Sequence, residues 1–326
     1  MAGLSLGILP QRTSGGDLSA DYSRLIEASN EPDTNNAYRR NFIRGGAGVT
    51  WRPGGGLFSW RFGYQANVTL FEKGTFTDLN NIRHVLQLAG SWKFLPRTAL
   101  LYRGNISWLQ YTADRPPDTL GDGQTFDSQI GINGLISNYF GVLGMIGWAG
   151  TFYEPKAAVP PQNFDSLVGQ AQITWYPSPQ RKLPPGENPV GLSSVALGYT
   201  RNFGASYLGT YFQRDRGYAN MNYFFGERFV LMLSGGLSHI TRPATFFTAV
   251  PPATEGTLQA PASEENRVDV VAFLEYRLSG SVGINATFRY DAELDHRVYP
   301  LAPTGAAADD LYFNRYQVYL GVRWFL

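Results

Sequence analysis

Read two residues at a time, most of the chain separates into an apolar set and a polar set. Phe58, Trp60, Phe62, Tyr64, Ala66, Val68 and Leu70 alternate with Ser59, Arg61, Gly63, Gln65, Asn67 and Thr69. From position 282, Val282, Ile284, Ala286, Phe288, Tyr290 and Leu294 oppose Asn285, Thr287, Arg289, Asp291 and Glu293. At the end, Tyr316, Val318, Leu320, Val322, Trp324 and Leu326 interleave with Arg315, Gln317, Tyr319, Gly321, Arg323 and Phe325. Successive Cβ atoms of a strand point to opposite faces, so each segment presents one apolar and one polar face. With the turn residues between segments, the pattern predicts strands near 42–52, 57–71, 81–95, 98–111, 126–137, 140–153, 165–176, 193–203, 207–225, 228–241, 266–278, 281–295 and 311–326.

These segments exceed the five or six residues of an average soluble strand. Their length suits a tilted crossing of about 25–30 Å of hydrocarbon. No run reaches the roughly 18 apolar residues a membrane helix needs. The most apolar stretch, Tyr139 to Tyr153, carries Gly141, Gly144, Gly147 and Gly150, each costing a helix about 1 kcal/mol against Ala. Composition agrees: 16% of residues are charged, against about 25% in soluble domains. Aromatics make up 14%, with 37 Gly and no Cys. The fold class predicted is all-β: a closed antiparallel transmembrane β-barrel of about fourteen strands, with twelve to sixteen allowed, forming a single domain over residues 1–326.

Connections alternate in length as such a barrel requires, except for the long link 177–192 and a short outside turn near Gly204 to Ser206. Tight turns are expected at Pro53–Gly56, Pro96-Arg97, Ser137–Tyr139, Gly226-Glu227 and Ser279–Ser281, on the periplasmic side. Long connections are expected outside, at 72–80, 112–125, 154–164, 242–265 and 296–310. Two segments stand apart. The Pro-rich link 177–192 falls on the periplasmic side, where Arg181 and Lys182 offer a handle for a partner protein. Residues 11–41 are polar and turn-rich, with a short helix predicted over Ser23 to Ser29; they read as a long extracellular or plug-like segment. A first strand at Gly3 to Leu9 would bring the count to fourteen and both termini to the periplasm. No signal peptide is visible, so the chain reads as a mature or trimmed form of a protein of the bacterial outer membrane.

If the apolar set faces lipid, the polar set lines the interior. The charged channel-lining residues would be Arg44, Arg52, Arg61, Arg83, Lys93, Arg103, Arg214, Arg216, Arg267, Asp269, Glu275, Arg277, Arg289, Asp291, Glu293, Arg315 and Arg323, with Asp127 as a further acid. Cations dominate although the whole chain carries only +1. A narrow channel between low-dielectric walls focuses such a field and favours anions. The alternative is that inward charges pair and fill the barrel. Trp51, Trp60, Trp92, Trp108, Trp148, Trp175 and Trp324 fall mostly on the apolar parity near strand ends, as an interfacial girdle does.

Chemistry-bearing motifs are sparse. His84 and His239 sit on the apolar parity, and neither they nor His296 have a triad beyond sequence neighbours. No His pair has ligand spacing, Asp114 to Asp122 lacks the pattern of a calcium loop, and the glycine clusters lack the setting of a phosphate loop. The expectation is no enzyme, no metal, no cofactor and no nucleic-acid partner.

Tyr319, Gly321, Trp324 and Leu326 resemble the C-terminal barrel-assembly signal of bacterial outer-membrane β-barrel proteins. Leu95–Leu100, Val195–Arg201, Arg267–Asp269 and Glu275–Leu278 resemble the β-barrel porin family associated with exopolysaccharide secretion. The resemblance implies an outer-membrane conduit for small or polymeric, anionic solutes, with outer-membrane lipid, the barrel-assembly machinery and periplasmic or surface proteins as partners. Two other readings stand beside it: a structural or docking barrel that anchors an envelope assembly, and, less favoured, an outer-membrane enzyme.

Overall fold

In the computed structural model, the alternating segments pair in sequence order into one antiparallel sheet of fifteen strands. The described residues are 2–8, 13–27, 38–72, 80–112, 122–154, 163–177, 193–205, 211–225, 228–242, 245–248, 257–260, 263–279, 281–295, 298–299, 309–310 and 313–324. The sheet begins with β1 (Ala2–Ile8), β2 (Ser14–Glu27), β3 (Tyr38–Trp51), β4 (Phe58–Phe71), β5 (Asn81–Leu95) and β6 (Thr98–Tyr111). It continues through β7 (Gly123–Leu135), β8 (Phe140–Tyr153), β9 (Phe164–Trp175), β10 (Ser194–Ala205), β11 (Tyr211–Phe225) and β12 (Phe229–Arg242). It ends with β15 (Ser263–Arg277), β16 (Val282–Glu293) and β19 (Asn314–Trp324). Two short ladders, β13 (Thr245–Thr248) with β14 (Thr257–Ala260) and β17 (Val298–Tyr299) with β18 (Asp309–Asp310), lie within the two connections on either side of the β15–β16 hairpin. No α-helix occurs among the described residues.

Fifteen strands fall inside the expected range, and the one not foreseen is β2. Residues 14–27, expected within a loop or plug, pair along their whole length with β3, from Ser14 opposite Trp51 to Glu27 opposite Tyr38. Ser23 to Glu27 are therefore strand, not helix. The extra strand also reverses the first one. β1 runs the same way as β19, so the two ends of the described chain do not share one end of the sheet. The Pro-rich link lies outside the described residues from 178 to 192, as does 28–37.

Register fixes the two faces. One row across the C-terminal strands reads Tyr218, Gly236, Asp269, Asp291 and Arg315. The next row towards the long connections reads Arg216, Ser238, Arg267 and Glu293. Nearly all the buried side chains belong to this polar face, including Met145, Thr151, Val168, Ser238, Ile240, Glu265, Glu275 and Glu293. Large apolar residues of the opposite face stay open: Ile146 is 62% exposed, Leu167 65% and Leu237 63%. Side chains converge on the concave side of a curved sheet and diverge on the convex side. The polar face is therefore the concave one, and the core of this protein is inside-out relative to a soluble sandwich.

Tryptophans mark the ends of the apolar face. Trp51, Trp60, Trp92, Trp175 and Trp324 stand at the short-turn end, where Trp92 stacks on Phe58 at 5.7 Å between centroids. Trp108 and Trp148 stand towards the long connections. There the Trp148 Nε1 donates to Asp165 Oδ2 at 2.9 Å, the apolar body and polar handle that suit a membrane–water boundary.

Candidate functional site: a basic concave face

The residues expected to line a channel occupy one face. Arg44, Arg61, Arg83, Arg103, Arg214, Arg216, Arg267, Asp269, Glu275, Arg277, Arg289, Asp291, Glu293, Arg315 and Arg323 all carry the polar parity by register, as does Asp127. Arg52 continues the polar parity of β3 one residue beyond it, its backbone N–H bonded to the Thr13 carbonyl at 2.6 Å. Lys93 lies beside the irregularity in β5 pairing between Trp92 and Leu95. It borders a cavity of about 510 Å³ at the short-turn end, together with Arg97, Asn133, Gln172, Thr174 and Tyr176.

The sequence reading missed several acids of this face. Asp17 and Asp21 belong to β2, and Glu265 lies just before the predicted start of its strand. Asp17 accepts from Arg61 Nη2 at 2.7 Å. Glu265, almost wholly buried, takes Arg242 and, at 3.1 Å, Arg267. The charge on this face is thus less one-sided than the sequence implied, and much of it is paired. Extending the period-two pattern three residues back from 266 would have found Glu265; β2 offered no such signal.

Arginine collects most densely on β11 to β19. A second cavity of about 510 Å³ is lined by Arg214, Arg216, Arg267, Arg289 and Arg315, against two carboxylates, Asp269 and Asp291. Asp269 holds Arg216 through two hydrogen bonds, one of them Nε to Oδ1 at 3.1 Å, and lies 3.6 Å from Arg214 Nη2. Arg214 also donates to Ser238 Oγ at 2.9 and 2.8 Å. Asp291 is 3.8 Å from Arg315. Arg289 makes no hydrogen bond or ion pair among the described residues, and Arg267 Nε is buried without an acceptor.

Neither described histidine joins this face. His84 Nδ1 lies 2.6 Å from the Tyr64 hydroxyl, and His239 Nδ1 lies 3.0 Å from Asn266 Oδ1, both pairs on the apolar face. His296 lies outside the described residues. Of the C-terminal signal, Tyr319 and Gly321 are on the polar face and Trp324 ends the apolar face; Leu326 lies outside the described residues.

No protein-family model and no curated protein sequence matches this chain. Solved structures do. The FrpB iron transporter from Neisseria meningitidis (F3-3 variant) superposes with a TM-score of 0.54 at 10% identity, over 89% of this chain and 51% of its own. The copper transporter OprC gives 0.52 at 9% identity, over 89% and 54%. The siderophore receptor PiuA from Acinetobacter baumannii gives 0.50 at 11% identity, over 94% and 58%. This chain therefore spans little more than half the length of the proteins it resembles. At such identities the likeness is one of fold alone: the antiparallel wall of an outer-membrane β-barrel.

Proposed function

We propose that this protein is a barrel of the bacterial outer membrane that passes anionic solutes, small or polymeric, along its concave polar face. One observation carries the reading: an apolar face left exposed around a polar face whose side chains pack on one another, with arginine in excess on the inner side. Only lipid outside and water inside make that arrangement favourable, because an apolar exterior and a charged interior would be penalised together in any soluble protein. In this reading the lipid of the outer membrane and the barrel-assembly machinery are the partners the fold requires. The porin and polysaccharide-exit readings of the sequence fit the same geometry. The likeness in fold to transporters of iron and copper supports passage rather than anchoring.

Selection would act by charge. Cations held between low-dielectric walls set a positive potential that concentrates anions and excludes cations, more strongly at low salt. Catalysis has no part in this proposal, since the described histidines face the lipid side with tyrosine and asparagine as partners. The test is reversal potential in a planar bilayer under a KCl gradient. The expected result is a steady anion-selective conductance that loses selectivity when Arg61 and Arg289 are changed to Gln. Cation selectivity, or no conductance from folded protein, would refute the proposal.

A further inference from the structure

We infer that the arginine-lined cavity on β11 to β19 is a saturable binding site for a solute carrying two or more oxyanion groups. This rests on the reading of the polar face as a water-filled passage, and adds a specific site to it. If the inward charges served only to fill the barrel, each guanidinium would be neutralised locally, as Arg61 is by Asp17 and Arg242 by Glu265. Here the bookkeeping does not close. Asp269 is occupied by Arg216 and approached by Arg214, Asp291 lies beside Arg315, Glu265 is shared by Arg242 and Arg267, and the buried Glu293 stands opposite Arg267, so that four carboxylates face six guanidiniums. Arg289 stands opposite Val271 on one side and Gln317 on the other, neither of which can neutralise it. It makes no ion pair among the described residues, and the buried Arg267 Nε–H has no acceptor.

Planar guanidinium forks match carboxylate and phosphate oxygens in pairs, and such bonds strengthen where water is partly excluded. A volume of about 510 Å³ is far larger than a halide needs and lies within the range of small organic ligands. Arg216 is already fixed by Asp269, so part of the site is held in place before a solute arrives. The surplus of cation over carboxylate around one cavity calls for more than one negative charge on the solute. The shared chemistry is the oxyanion, whether a phosphoryl or a carboxylate group.

The experiment uses the purified full chain in lipid, with pyrophosphate and citrate as separate probes. Binding is measured by calorimetry, and block of KCl conductance in a planar bilayer. Saturable binding is expected for at least one probe, and the tighter of the two identifies the phosphoryl or the carboxylate source. Arg289→Gln should weaken it about tenfold or more, and Arg289→Lys, which keeps the charge but loses the fork, should weaken it less. Arg201→Gln removes a cation from the apolar face and should bind as the parent does. Equal affinity in the parent and Arg289→Gln, or uptake that never saturates, overturns the inference. An anion-selective conductance that neither probe blocks overturns the site while leaving the channel standing. Absent conductance with saturable, Arg289-dependent binding overturns the channel and keeps the site.

Discussion

Arg216 on β11 and Asp269 on β15 are joined by two hydrogen bonds although β12 runs between them. Adjacent strands lie about 4.8 Å apart, so the pair spans roughly twice that distance. The bridge passes over Gly236, where a Cβ would lie 2.5 Å from Arg216 Nε. The same construction recurs at the other side of the sheet: Arg61 on β4 reaches Asp17 on β2 over Gly48, where a Cβ would lie 2.8 Å from the carboxylate and 2.9 Å from the guanidinium. A long cation, a missing side chain and an acid two strands away together form a cross-strand tie.

That geometry makes Gly236→Val a sharp test. Displacing Arg216 leaves Asp269 with only its more distant neighbour, at a cost of about 1–3 kcal/mol for a partly buried charge that loses its partner. Gly235→Val, on the opposite face with its nearest neighbours at 3.6 and 3.8 Å, should be close to neutral. Urea unfolding in lipid vesicles compares the two; equal stability in both would show that the tie contributes nothing.

Residues 14–27 provide a second test. As strand β2 they are part of the wall, paired on both sides by β1 and β3. Deleting them should abolish the folded, heat-modifiable species on a gel. A folded product with raised conductance would mean that the segment plugs the barrel instead.

Alternation was legible wherever strong apolar residues recur every second position, and there the strand limits differ from expectation by three residues or fewer at most ends. β2 escaped because its apolar-face set, Gly16, Leu18, Ala20, Tyr22 and Arg24, is diluted by small and charged residues, while the Asp and Ser of its other face read as turn formers. The face assignment of the charged residues followed from parity alone. Their partners did not, since Arg61 with Asp17 and Arg323 with Glu275 join strands two apart, a relation that only the pairing order reveals. For the same reason the five arginines of the cavity, drawn from β11, β15, β16 and β19, could not be seen as one group.

The exposed apolar face should respond to charge according to depth. Ile146, at the centre of β8, changed to Arg should destabilise by about 2–4 kcal/mol, as expected at the membrane midplane. Trp92→Arg, in the aromatic girdle at the short-turn end, should cost no more than about 1 kcal/mol of depth penalty, apart from its stacking on Phe58. Unfolding free energies in vesicles check the order; a larger loss at Trp92 would contradict the membrane placement.

Glu275 is the most deeply buried acid among the described residues, 1% exposed, and it accepts from Arg277 at 3.4 Å and from Arg323 at 3.3 Å. Both cations remain partly open to water, so Glu275→Leu should cost between about 1 and 3 kcal/mol. Adding Arg323→Leu should recover part of that loss. Strictly additive effects in this double-mutant cycle would mean that Arg323 and Glu275 are not coupled.

The most direct measurement of the central claim, that the polar face borders water and the apolar face lipid, is cysteine accessibility along β16. The chain has no native cysteine, so single replacements at Ile284, Asn285, Ala286, Thr287, Phe288 and Arg289 each report one position. In lipid vesicles, a membrane-impermeant thiol reagent should label positions 285, 287 and 289 and spare 284, 286 and 288. Labelling of the even positions, or of all six alike, would contradict an aqueous interior on the concave face.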